Sequence, residues 1–225
     1  MNQQQFQRDV LSTAAGDLEI TFLGHGTLLF TFSGKQIHVD PFGRVADYAQ
    51  LPKADLVLVT HDHFDHLDAD ALAKIRTPET EVIVAQACVG KVDNAMVMHN
   101  GETCEVAGIP IIAVPAYNIL HKRDSGQPFH PKGAGNGYVL TFGDLRVYVA
   151  GDTENTPELK ALEGIDVAFL PMNLPYTMSP EMAADAARAL SPEILYPYHF
   201  GETDTAQLTR LLSDTDIEVR IRDLA

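Results

Sequence analysis

His61-Asp62-His63-Phe64-Asp65-His66 is the stretch whose reading decides the fold. Three of the chain's nine histidines and two carboxylates fall within these six residues. Imidazole nitrogen and carboxylate oxygen are ligands suited to Zn²⁺, Fe²⁺ or Mn²⁺. In an extended or loop segment, residues two apart point the same way, so His61 and His63 can grip one cation. A turn after Phe64 then lets Asp65 and His66 face a second. The plainer reading is a solvated polar turn capping a helix that starts at Asp68. The density of histidines weighs against it.

Outward from the cluster, residues 56–59 (Leu-Val-Leu-Val) are wholly apolar, as expected of a strand buried on both faces. Residues 68–75 read as a helix with Leu67, Leu72 and Ile75 as apolar positions and Pro78 beyond its end. Upstream, residues 18–23 and 27–32 read as strands interrupted by Gly24-His25-Gly26. Ser33-Gly34-Lys35 turns the chain into a returning strand over 36–39. Downstream, strands are expected over 82–85 and 108–114, then a hairpin of 138–142 with 146–150. Further strands are expected over 166–170, 194–198 and 217–221. Helices are expected over 180–190, capped by Ser179 ahead of Pro180, and over 204–212. Hairpins come first and strand–helix alternation later, twice over, so two packed sheets with helices outside would bury the apolar strands. No repeat or linker divides the chain, and one domain is expected over 1–225. Periodicity alone is compatible with α/β or α+β.

A metal site needs partners from other strand ends. Asp152, in Ala150-Gly151-Asp152-Thr153, follows a strand, and Gly151 permits a sharp turn that exposes the carboxylate. Such a carboxylate can bridge two cations; its alternative is to cap a helix starting near Pro157. His199, in Tyr198-His199-Phe200-Gly201, also follows a strand, and alone it would read as a hydrogen-bonded, partly buried histidine. His38 and His99 read as ordinary structural or surface residues.

The cluster at 61–66 resembles the HxHxDH signature of the metallo-β-lactamase superfamily. Gly151-Asp152-Thr153 is similar to its later GDT element and Tyr198-His199 to its final ligand motif. Phe22-Leu23-Gly24-His25-Gly26 and Val39-Asp40-Pro41 resemble the opening hairpin of its small cytoplasmic members. Nearest in type are small metal-dependent hydrolases related to bacterial ascorbate-phosphate lactonase. The resemblance implies an α+β fold, a four-layer αββα sandwich with the site at one edge between the sheets. It implies that His61 and His63 hold a first metal, that Asp65, His66 and His199 hold a second, and that Asp152 bridges them. Asp40 would orient a ligand histidine from behind, though it reads equally as a turn residue before Pro41. Relatives often carry a histidine in a Pro-Ala-x-His element. Here Pro115-Ala116-Tyr117-Asn118 puts Asn118 at that ligand position. His130, fixed by Pro131 and nearby glycines, is expected to substitute, while His121, between Leu120 and Lys122-Arg123, is expected to face solvent. His25 is expected to contact substrate or shuttle a proton, or equally to be structural.

The resemblance implies two divalent ions, zinc first with manganese or iron as alternatives. A metal-bound hydroxide would then attack a small ester, lactone or phosphodiester. Asp65 would orient the nucleophile, and His25 or Tyr198 would assist the leaving group. Lys122, Arg123 and Lys132 form a positive cluster on the irregular segment 116–137, so Lys132, Asn118 and Tyr198 are the expected substrate contacts for an anionic group. The bland alternative is a solvated loop. Cys88 and Cys104 lack motif context and read as buried apolar thiols. With 16 basic and 31 acidic residues the net charge is −15, which disfavours a nuclease or any general nucleic-acid partner. A redox member of the family would need a flavin-binding partner domain, for which 225 residues leave no room. No apolar run approaches a membrane span. The Gln-rich start, residues 1–9, lacks a signal-peptide pattern, so a cytoplasmic location is expected. The expected partner is a small-molecule substrate, and a homo-oligomer is compatible with the sequence.

Overall fold

Alternation within one short strand sets the layering. Leu56 and Leu58 of β5 (Leu56–Val59) join the apolar cluster that fills the space between two sheets. Val57 and Val59 point the other way and pack with Leu72 and Ile75 of helix α1 (Ala69–Ile75). A strand whose successive side chains face opposite sides therefore needs a sheet on one side and a helix on the other. This computed structural model describes residues 6–225.

The first sheet has seven strands in chain order: β1 (Gln7–Thr13), β2 (Gly16–Gly24), β3 (Thr27–Phe32), β4 (Lys35–Val39), β5, β6 (Glu81–Val84) and β7 (Met96–Val97). The second also has seven, β8 (Thr103–Val106), β9 (Ile109–Ala116), β10 (Gly135–Phe142), β11 (Leu145–Val149), β12 (Val167–Pro171), β13 (Ile194–Tyr198) and β14 (Glu218–Val219). Aromatic rings knit the two together: Phe30 lies 5.6 Å from Phe142, and Phe22 lies 5.1 Å from Tyr196. Three helices, α2 (Pro157–Lys160), α3 (Pro180–Leu190) and α4 (Thr205–Leu211), lie with the second sheet, α3 against β12. The alanines of α3, at 183, 184, 186 and 187, give it a smooth buried face that lets it approach closely. The result is the expected four-layer α+β sandwich. No helix among the described residues is long and apolar enough to cross a membrane.

Strand direction positions the site. β4, β5 and β6 are parallel, as are β11, β12 and β13, so their C-terminal ends open on one edge of each sheet. β2 and β4 are both antiparallel to β3, so β2 also ends there. β9 runs with β11 through antiparallel β10, which places the 117–134 loop at the same edge. Crevices outside the carboxyl ends of parallel strands are where such sheets place ligands.

The differences from the sequence expectation lie at sheet edges. β1, β7 and β8 were not expected, and the final strand is only two residues long. Of the N-terminal segment, residues 1–5 fall outside the described residues.

Candidate metal centre

The motif turn is built by hydrogen bonds from His66 N–H and Leu67 N–H to the His63 carbonyl, at 3.0 and 2.8 Å. This reverses the chain after Phe64 and brings Asp65 and His66 round to face the edge. Helix capping falls to Asp68, whose carboxylate accepts from Asp70 N and Ala71 N. The cluster itself takes no part in the cap. Asp152 likewise caps nothing, since Thr156 is the N-cap of α2. Gly151 sits at φ +65° with a hypothetical Cβ 2.8 Å from the Asn136 carbonyl, so only glycine fits that turn. Three non-glycine residues of this edge also have positive φ: His25 (54°), Asp40 (46°) and His199 (48°). Such conformations cost about 1–3 kcal/mol each and persist where the surroundings enforce them.

Donor atoms fall into two groups, each within 4.8 Å of one another: His61, His63, His130 and Asp152; and His25, Asp65, His66 and His199. Asp152 joins them through different oxygens. Its Oδ2 lies 3.2 Å from His130 Nε2 and 3.9 Å from His61 Nε2. Its Oδ1 lies 3.5 Å from His66 Nε2 and 3.7 Å from His199 Nε2. His61 Nε2, His66 Nε2, His199 Nε2 and Asp152 Oδ1 are buried without a hydrogen-bond partner. Four such orphans, each costing about 1–3 kcal/mol, converging on two points fit bound cations of the nitrogen- and oxygen-liking kind.

Residues behind the donors fix their tautomers. Asp40 is fully buried, and its Oδ2 accepts from His66 Nδ1 at 2.7 Å, leaving Nε2 as the lone-pair atom. Thr60 donates to the same carboxylate through its backbone N–H (2.7 Å) and its hydroxyl (2.6 Å), and lies 3.0 Å from His61 Nδ1. Asn118 Oδ1 accepts from both His130 N and His130 Nδ1 at 2.8 Å, which aims Nε2 inward. Glu154 is fully buried; it accepts from the backbone of Ile119, Leu120 and His121, from Asn118 Nδ2 and from His121 Nδ1. It anchors the whole loop that carries Asn118 and His130.

The electrostatics agree with ligand roles. Burial pushes His61 and His63 below the usual imidazole range, with neighbouring histidines adding to it, so both offer lone pairs at neutral pH. Burial opposes ionisation of Asp152 and Asp65, yet the surrounding imidazoles hold both carboxyls well below their ordinary range. His66 feels the same burial, but Asp152 and Asp40 outweigh it and raise it to about 9, so without a cation it carries a proton on Nε2 that metal binding would displace.

His130 rather than His121 or Asn118 stands with His61 and His63, its Nε2 3.3 Å from His63 Nδ1. His121 is half-buried and bound to Glu154 at 2.8 Å, not solvent-facing as expected. Two expected substrate contacts are placed elsewhere. Asn118 is buried and spends its amide on His130, Glu154 and the Tyr176 carbonyl. Tyr198 is 1% exposed, and its hydroxyl accepts from Gly151 N–H at 2.7 Å, so it shapes the Asp152 turn. Lys132 is exposed but paired with Glu158 at 2.6 Å and stacked over Tyr117. Cys88 is buried and Cys104 half-buried; both are free thiols. Thr60 and Glu154 were not foreseen. Their only sequence signal is adjacency to His61 and to the Gly151-Asp152-Thr153 element.

A family model described as a β-lactamase superfamily domain matches residues 19–199. A metal-dependent hydrolase from Methanopyrus kandleri is 33% identical over 221 residues, 91% of this chain and 95% of its own. The crystal structure of a candidate metal-dependent hydrolase from Parabacteroides distasonis superposes with a TM-score of 0.94 at 48% identity, covering 98% of this chain and 100% of that one. A metallo hydrolase from Ignicoccus hospitalis superposes with a TM-score of 0.75 at 26% identity, covering 92% and 96%.

Proposed function

The chain belongs to the metallo-β-lactamase superfamily of metal-dependent hydrolases, and from that premise we propose that it hydrolyses a small ester, lactone or phosphodiester at a two-metal centre. The observation that carries the reading is the divided carboxylate of Asp152, one oxygen toward each histidine group. Divalent cations held there by His61, His63, His130, Asp65, His66, His199 and Asp152 would supply Lewis-acid activation of a water at neutral pH and would stabilise charge on the attacked oxygen, together worth several kcal/mol.

The chain's own residues do the rest. A cleft of ≈ 280 Å³, including its open mouth, is lined by His61, His63, Ala116, Phe129, His130 and Asp152 among others. Phe129, half-buried and packed edge-on against Tyr176, supplies its apolar wall. Asp65, ionised and less buried than Asp152, is the carboxylate placed to hold a water by hydrogen bonding. Zinc is the proposed metal, with manganese or iron as alternatives, because three or more imidazoles with carboxylates suit all three.

The test is a hydrolysis screen over lactones, phosphodiesters and thioesters, with His66→Ala as control. The expected result is turnover on one class, lost in the variant. Turnover that survives His66→Ala would overturn the reading.

A further inference from the structure

We propose that His25 is itself a ligand at the second metal position, a fifth protein donor beside Asp65, His66, His199 and the bridging Asp152. This rests on the two-metal reading above and departs from the sequence expectation of a proton shuttle or substrate contact.

Distances carry it first. His25 Nε2 lies 3.0 Å from Asp65 Oδ2, which lies 3.6 Å from His199 Nε2 and 3.9 Å from His66 Nε2. Asp152 Oδ1 adds 3.5 and 3.7 Å to the latter two. Two donors each about 2.1 Å from one cation stand about 3.0–3.6 Å apart at angles of 90–120°. The 3.0 Å span from His25 to Asp65 is that of neighbouring ligands at a right angle.

Orientation comes next. The other ring nitrogen, Nδ1, faces the backbone oxygen of Ala225 at 3.4 Å. With the proton on Nδ1 toward that oxygen, Nε2 would present its lone pair to a cation lying between it and Asp65; without the cation, Nε2–H donates to the Asp65 carboxylate at 3.0 Å. The ring is held by His199, 3.8 Å away between centroids, and by Phe42 at 5.8 Å. The backbone agrees: His25 takes φ +54° between Gly24 and Gly26, a strain the fold maintains. A Cβ at Gly26 would come within 2.9 Å of His66 Cε1, so this turn is pressed directly onto another ligand. His199 N–H donates to the His25 carbonyl at 3.1 Å, tying the two sheet ends together at this point.

The cleft is lined by His61, His63, His130 and Asp152, and by none of His25, Asp65, His66 or His199. Four of the five proposed donors of the second position thus lie outside this cleft, and only Asp152 borders it.

The experiment is titration with Co²⁺, followed by calorimetry and visible absorption, on the wild type and on His25→Ala and His25→Gln. His66→Ala and His130→Ala assign the two binding events to the second and first positions. The expected result is that both His25 variants weaken the second event by about tenfold or more while the first is unchanged. The absorption of the second cobalt is expected to intensify as its coordination number falls. Should His25→Ala not fold, His25→Gln, of similar volume, carries the same expectation. Native affinity and spectrum at the second event, or equal weakening of both events, would overturn the proposal. Failure of the hydrolytic reading looks different: two cobalt ions would bind as described with no turnover in any substrate class.

Discussion

Replacing Asp40 with asparagine tests how far one buried carboxylate governs the centre without touching a metal. Its Oδ1 accepts from Thr60 N–H at 2.7 Å, and its Oδ2 accepts from the Thr60 hydroxyl at 2.6 Å and from His66 Nδ1–H at 2.7 Å. An asparagine has one oxygen. With that oxygen toward Thr60 N–H, its NH₂ faces His66, which must move its proton to Nε2 and lose the lone pair aimed at Asp152 and Asp65. With the amide reversed, NH₂ meets the Thr60 N–H donor to donor. Hydrogen bonds to a charged group contribute about 1.5–3 kcal/mol each, so losing both at Oδ2 sets a ceiling of about 3–6 kcal/mol. The Thr60 hydroxyl can rotate to accept from the new amide, which leaves a loss of about 1.5–3 kcal/mol. Metal affinity at the His66 position is expected to fall about 10–100-fold, the usual effect of losing an outer partner of a ligand histidine. The assays are urea denaturation with chelator present and zinc titration against a competing chelator. Unchanged zinc affinity beside reduced stability would refute the orienting role and leave Asp40 a fold element.

Asn118→Leu keeps most of the volume but removes the acceptor that aims His130; the first binding event is expected to weaken about 10–100-fold with the second intact, read by the same titration. His38 is buried, which lowers its pKa from 6.5 to about 4 against the opposing hydrogen bond to Pro52. The unfolded chain therefore takes up the proton first, so this stability is complete above pH 6.5 and is lost as pH falls toward 4, about 3 kcal/mol in all. His38→Gln is expected to flatten the fall in denaturation midpoint across that window; an unchanged slope contradicts it. Lys132→Ala is expected to change turnover of phosphorylated and neutral esters alike, because Glu158 already holds the ammonium. A loss confined to phosphorylated esters would restore Lys132 as an anion contact.

What the sequence displayed well was anything with a local signature. The apolar run 56–59, the Ser179-Pro180 helix start and the histidine cluster each announce themselves within a few residues, and each stands in the structure as an element or a donor set. The edge strands did not. Met96–Val97 is too short to show a period, and Gln7–Thr13 is largely exposed, so it lacks the apolar alternation of a half-buried strand. Roles that depend on what lies across the fold were also hidden. Tyr198 is adjacent to a donor, which suggested substrate contact, yet its hydroxyl meets Gly151 from a different strand. Glu154 looks like any acid in a loop until five donors from residues 118–121 converge on it. The Lys132 cluster looked basic because Glu158, distant in sequence, was not counted against it.

The central claim is that Asp152 joins two separate cation positions. Its most direct test is metal content per chain after saturation with zinc and removal of excess, for the wild type and for His66→Ala and His130→Ala. The account predicts two zinc ions in the wild type and one in each variant. A wild type that retains a single zinc, lost equally in both variants, would contradict it.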